Sequence, residues 1–148
     1  MASIRKELRL SVPSEIVWEA VRDVGAVHQR LCPGVLTDTH LENDARIVTF
    51  ANGMIIRERI VDIDDDARRF VWAAVGDPLT HHNASMQVFE NGGRQSRLVW
   101  ITDILPNSVT SDIQALIDKG ADAIRRTLEG QTAGQKDSPT LIHPGAGR

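Results

Sequence analysis

The chain has no tyrosine and a single cysteine, Cys32, in 148 residues. Without phenol donors, any stabilisation of an oxyanion or enolate falls to histidine, threonine, Asn83 or arginine. One cysteine excludes an internal disulfide and suits a reducing compartment. No base adjoins Cys32, so beside Pro33 it reads as a small buried apolar residue rather than a nucleophile. Aromatic residues are only 4% of the chain, and Trp18, Trp72 and Trp100 read first as core. No basic run exists: 17 Lys and Arg are interleaved with 20 Asp and Glu, for a net charge of −3. That excludes the basic face of a nucleic-acid binder. No stretch approaches the ~20 apolar residues of a membrane span, and Met1–Lys6 lacks an apolar signal core. The expectation is a cytoplasmic protein without membrane insertion. Its length suits one domain with a proper core, as a monomer or homodimer. His28, Cys32 and His40 lack metal-ligand spacing, and the neighbours His81 and His82 face opposite sides of a strand. No metal and no cofactor is expected.

What is present is alternation. Ile4, Leu8, Leu10 and Val12 mostly alternate with Arg5, Glu7, Arg9 and Ser11 and mark a half-buried strand. Pro13 suits a first helical position and Glu15 the positive end of the helix dipole. Val17, Ala20, Val21, Val24 and His28 then share a helical face, giving one helix or two short ones broken near Gly25. From Val35 to Leu105 strand signals dominate: Val35–Leu41, Arg46–Ala51, Met54–Ile63, Arg69–Val75, His81–Glu90 and Ser96–Ile104. They are separated by turn chemistry at Glu42–Asp44, Asn52-Gly53, Asp64–Asp66, Gly76–Pro78 and Asn91–Gly93. Turns this short make consecutive strands antiparallel neighbours. The expected class is therefore α+β, a seven-stranded antiparallel sheet that includes the N-terminal strand.

After Pro106, with Asn107 or Ser108 as cap, a long helix follows. Its apolar face carries Ile113, Leu116, Ile117, Gly120, Ala121, Ile124 and Leu128, and Gly130 is placed as its C-cap. Residues 1–130 form the domain. Residues 131–148, rich in Gly, Pro, Ser and Thr, are expected to be a flexible tail. A sheet curved around this helix leaves space between them, and small residues at Gly120, Ala121 and Ala123 favour a cavity there.

Glu58 stands out. It sits mid-strand in Met54–Ile63, where one face is buried, and a carboxylate there must be satisfied or serve a ligand. One alternative is a rim residue paired with Arg57, Arg59 or Arg97. If it is buried without a cation, its pKa rises, and Glu58→Gln is then neutral or mildly stabilising.

The order of elements resembles the helix-grip superfamily that joins birch-pollen-allergen-like proteins, START lipid-transfer domains and polyketide cyclases (SRPBCC). The residues carrying it are Val12–Trp18, Cys32–Val35, Arg57–Asp65, Arg68-Arg69 and Gly76–Leu79, within a span from Ile4 to about Gly130. The resemblance implies a curved sheet wrapped around the C-terminal helix, with one or two short helices after the first strand. The Glu58 strand is also similar to that of plant abscisic acid receptors. That likeness implies that Ile56, Glu58 and Ile60 point inward, with His82, Ala84 and Met86 on one later strand and Leu98, Trp100 and Thr102 on another. The receptors' gate loop is replaced here by the tight turn Asn52-Gly53, which argues against a hormone receptor.

The expected function is binding of a small hydrophobic ligand, lipid-, polyketide- or aromatic-like. The expected site is Ile56, Glu58, Ile60, His82, Ala84, Met86, Leu98, Trp100, Thr102, Leu116 and Gly120, with Glu58 and His82 at the ligand's polar end. The alternative is an aromatase/cyclase- or dehydratase-like enzyme in which Glu58 and His82 are catalytic and transfer protons. A third is an accessory or stress protein that binds a protein partner.

Overall fold

The alternating segments become strands, and the turn signals between them become turns. This computed structural model describes the backbone of residues 2–142 and the side chains of residues 2–131. The strands are β1 (Ala2–Leu10), β2 (Leu36–Glu42), β3 (Ala45–Phe50), β4 (Ile55–Asp64), β5 (Arg69–Val75), β6 (His81–Glu90) and β7 (Ser96–Leu105). They form one seven-stranded sheet in the order β1-β7-β6-β5-β4-β3-β2, antiparallel throughout. Strands β2 to β7 are the expected meander, and β1 closes the far edge by pairing with β7 from Ala2↔Ile104 to Leu10↔Ser96. Helices α1 (Ser14–Arg22) and α2 (Val27–Arg30) are separated by a 3₁₀ turn at Val24–Ala26. The break falls where Gly25 placed it.

Two helix boundaries differ from expectation. Pro13 is the residue before α1 rather than its first turn: its backbone is extended (φ −58°, ψ 144°), and its carbonyl accepts the Ile16 and Val17 amides. Helix α3 spans Thr110–Ile142 and runs through Gly130, which is therefore no C-cap. One helical glycine costs roughly 1 kcal/mol relative to alanine, too little to stop a helix already long. Of the expected tail, residues 143–148 lie outside the described part.

Ile117, Ala121, Ile124 and Leu128 on one face of α3 are buried against the sheet, with Leu8, Leu10, Phe70 and Leu98 among the sheet's contributions. Each large aliphatic chain buried this way contributes about 1.5–3 kcal/mol. The acidic turn between β4 and β5 fastens α1 to the sheet. Asp65 accepts from Trp18 Nε1 at 2.9 Å and Arg22 Nε at 2.8 Å. Arg68, in the left-handed region at φ 52°, donates to Ser14 Oγ at 2.6 Å.

Candidate functional site

Between the concave face of the sheet and α3 lies a cavity of about 280 Å³. Its floor is built from the inner faces of β3 to β7. Its rim is formed by Phe50 and Met54 around the β3–β4 turn, Asp77–Leu79 of the β5–β6 loop, Val109 just before α3, and Asp112 and Ile113 in its first turn. Of the eleven residues expected at the site, Ile56, Glu58, His82, Met86, Trp100, Thr102, Leu116 and Gly120 line this space. Ile60, Ala84 and Leu98 do not. Ala84 and Leu98 are packed solid in the core, and Ile60 leans against that core half-buried. Their strands curve, so inward positions farther from the rim meet α1 and α3 rather than open space.

The wall also holds residues the sequence reading passed over, chief among them Arg46. Its Nε donates to Glu58 Oε1 at 2.8 Å, with side-chain exposures of 6% for Arg46 and 14% for Glu58. Its Nη1 donates to the Val24 carbonyl at 3.2 Å. The guanidinium also lies over the rings of Phe70 and Trp72, at 5.0 and 5.5 Å. The three arginines considered as partners are engaged elsewhere: Arg57 with Glu42, Arg59 with Asp44, and Arg97 with Glu7. Glu58 thus faces the cavity but does not stand there uncompensated, which removes the premise of a neutral or stabilising Glu58→Gln. A buried ion pair of this kind is costly to break from one side.

His82 is the second polar group. The Ala74 amide donates to its Nδ1 at 2.9 Å, so the neutral ring carries its proton on Nε2. Burial pushes its pKa below the ordinary value of 6.5, against the opposing pull of Glu58. The bond also marks a break in the sheet. Pairing of β5 with β6 stops at Trp72↔Ala84, although both strands continue. On either side the ladders run on, to Arg57↔Val75 and to His81↔Leu105. The imidazole of His82 stands in the resulting seam. Glu58 lies opposite Ala74 on β4, so the two polar groups flank that one backbone position.

Gly120 and Trp100 explain each other. A Cβ on Gly120 would lie 3.0 Å from Trp100 Cη2 and 3.3 Å from Cζ3. The space freed by the missing side chain is therefore filled by the indole edge, and the cavity gains only the bare helix backbone. Trp100 Nε1 is enclosed and has no hydrogen-bond partner among the described residues. Cys32 is buried, and burial raises its thiol to about 12. Among the described residues no group of three His, Cys, Asp or Glu side chains is placed to hold a metal ion. No described helix is long and apolar enough to cross a membrane.

A family model described as polyketide cyclase / dehydrase and lipid transport matches residues 1–129. No curated protein matches the chain at a significant level. Among solved structures, an uncharacterised protein from Bacillus thuringiensis is 17% identical with a TM-score of 0.78, over 86% of this chain and 98% of that one. A norcoclaurine synthase point mutant from Thalictrum flavum, in complex with a transition-state analogue, is 18% identical with a TM-score of 0.67, over 88% of this chain and 96% of the other. The di-domain ARO/CYC BexL from the BE-7585A biosynthetic pathway is 11% identical with a TM-score of 0.70, over 87% of this chain and 47% of that one. Likeness at such identities establishes a shared fold.

Proposed function

The chain belongs to the polyketide cyclase/dehydrase and lipid-transport family, and on that premise we propose that its cavity binds a small, largely apolar ligand. The observation that carries this reading is the cavity of about 280 Å³ between sheet and α3, apolar over most of its wall. Binding sites are typically concave, mostly hydrophobic and furnished with a few convergent polar groups. Here those groups are the Arg46–Glu58 pair and the Nε2–H of His82. The space suits a molecule of two or three fused or linked rings, or a short acyl chain.

The pair is self-neutralising, so the ligand need bring no charge. Its polar end meets a carboxylate already engaged by a guanidinium, together with a neutral imidazole donor. This arrangement supports binding better than proton transfer between Glu58 and His82, because Arg46 holds the carboxylate that would have to exchange the proton. In this proposal the working unit is residues 1–130, in keeping with a family match that ends at residue 129. It acts in the cytoplasm, with a small molecule rather than a nucleic acid as its partner.

The test is a titration with N-phenyl-1-naphthylamine, an uncharged fluorescent probe, beside native mass spectrometry of the freshly purified protein. The expected result is saturable one-to-one binding with blue-shifted emission, displaced by any small molecule that co-purifies. Absence of saturable binding by the folded protein would sink the proposal. Turnover of a polyketone substrate that vanishes in both Glu58→Gln and His82→Asn would replace it with the cyclase reading.

A further inference from the structure

We propose that His82 is a proton-operated latch on the cavity: its neutral ring closes the seam between β5 and β6, and its protonation opens that seam and shortens the stay of a bound molecule. The inference rests on the ligand-cavity reading and adds regulation to it.

Three features of the structure converge on this residue. First, the β5–β6 ladder ends at Trp72↔Ala84 while both strands continue. The backbone bonds that would ordinarily join them beyond that point are absent from the ladder. Second, the Ala74 amide, left without a strand partner there, donates to His82 Nδ1 at 2.9 Å. One side-chain nitrogen does the work of a ladder bond. Third, Ala74, His82 and the loop residues Asp77–Leu79 beyond the seam all line the cavity, so the seam is part of its wall.

An imidazolium has two N–H donors and no acceptor. On protonation, Nδ1–H would point at the Ala74 N–H, and the amide would be left buried without a partner. A buried amide without a partner is destabilising, and opening of the seam to water relieves it. The charged and titratable groups around the ring come from every neighbouring element. Glu58 faces it from β4, itself held by Arg46 of β3. Asp103 lies on β7, and His81 is next along β6 on the other face. Asp77 of the loop and Asp112 of α3 stand at the rim. Glu58 and Asp103 favour the imidazolium, whereas burial and His81 disfavour it, and burial is the largest influence. The latch is therefore shut at neutral pH and opens in acid.

The experiment has a ligand-free arm and a ligand arm, each run from pH 8 to pH 5. In the ligand-free protein, ¹⁵N imidazole shifts report the His82 tautomer, and amide exchange gives the protection factor of Ala74. In the second arm, the dissociation rate of N-phenyl-1-naphthylamine is followed by stopped-flow. His82→Asn keeps an acceptor near the position of Nδ1 and cannot titrate, and His81→Gln serves as control.

The expected result is an unprotonated Nδ1 at neutral pH, with Ala74 protection that falls on acidification as the ring gains its second proton. Probe dissociation should quicken by up to about tenfold per pH unit, the limit for one linked proton. His82→Asn should abolish the acid response, and His81→Gln should leave it intact. A proton on Nδ1 at neutral pH, unchanged Ala74 protection, or an acid response surviving in His82→Asn would each overturn the latch. Failure of the probe to bind at any pH overturns the cavity reading instead. Ala74 protection then still decides the seam: loss in acid supports it, and constancy refutes it.

Discussion

Replacing Glu58 by glutamine tests whether the Arg46–Glu58 pair holds the cavity wall. The two side chains are 6% and 14% exposed and meet at 2.8 Å, so solvent screens the pair little. Removing one partner from a buried pair typically costs about 3–5 kcal/mol, because the other charge stays in a poorly solvated place. Glutamine keeps a carbonyl that can accept from Arg46 Nε, so only the charge-assisted part of the bond is lost. Arg46 also retains the Val24 carbonyl and its two aromatic neighbours. Together these place Glu58→Gln at about 2–3 kcal/mol destabilising. For a chain of this size that corresponds to a melting temperature lower by about 4–12 °C. Glu58→Ala should cost more. Replacing both partners by apolar residues, Arg46→Met with Glu58→Leu, should return stability to within about 1 kcal/mol of the parent, since neither charge is then left alone. Differential scanning calorimetry on these variants, with the single variants Arg46→Met and Glu58→Leu added to close the double-mutant cycle, measures each of these differences. A Glu58→Gln protein melting within about 1 °C of the parent would refute the reasoning and return Glu58 to the status of an uncompensated ligand group.

Three further outcomes are expected. Gly120→Ala pushes a methyl to 3.0 Å from Trp100; overpacking costs about 1–3 kcal/mol, and the gain in helix propensity recovers roughly 1. Urea titration should therefore show a net loss and a shifted tryptophan emission, and a stabilised variant would mean the indole moves aside freely. Cys32, raised to about 12 by burial, should resist a thiol reagent until denaturant is added. Because the unfolded thiol ionises near 9.0, its contribution is complete below that value and declines as pH rises from there towards 12; a Cys32→Ser protein should lack that alkaline slope. The depressed His82 pKa works in the opposite direction: its contribution is complete above 6.5 and lost as pH falls through the lower folded value. Urea midpoints between pH 8 and pH 5 should decline in the parent and decline less in His82→Asn.

The meander was legible because its signals are local. Each strand alternates, and each turn carries Asn, Asp or Gly where the backbone needs them, as at Asn43 (φ 57°) and Gly53 (φ 89°). The long helix was legible for the same reason, whereas its end was not. Gly130 looks like a stop in sequence, but a single glycine does not outweigh a helix that continues on both sides.

The partner of Glu58 was hidden by register. Reading Asn52-Gly53 as a two-residue turn pairs Arg46 with Arg59, which turns its side chain to the face opposite Glu58. The strands instead pair Arg46 with Glu58, because Ala51 joins the loop and Phe50 N–H bonds the Met54 carbonyl. One residue of slip exchanges the two faces of a strand. Alternation also argues against Arg57 and Arg59, offered above as partners, because they flank Glu58 and face away from it. The imidazole in the seam was beyond reach for a different reason: where a ladder stops short of its strands' ends depends on sheet curvature, which no local pattern encodes.

The pairing of β1 with β7 sets an order of events during synthesis. Ala2 meets Ile104 and Leu10 meets Ser96, so β1 has no strand partner until β7 has been made. At about 5–20 residues per second, that leaves β1 waiting roughly 5–20 s while the meander β2 to β7 forms from neighbouring segments. During this interval Leu8 and Leu10, both later buried, are open to wrong associations. The charges Arg5, Lys6, Glu7 and Arg9 are the kind of residue that blunts edge-to-edge pairing. Those charges thus guard the nascent chain as much as they decorate the finished sheet, and neutralising them should lower the yield of folded protein more than its stability.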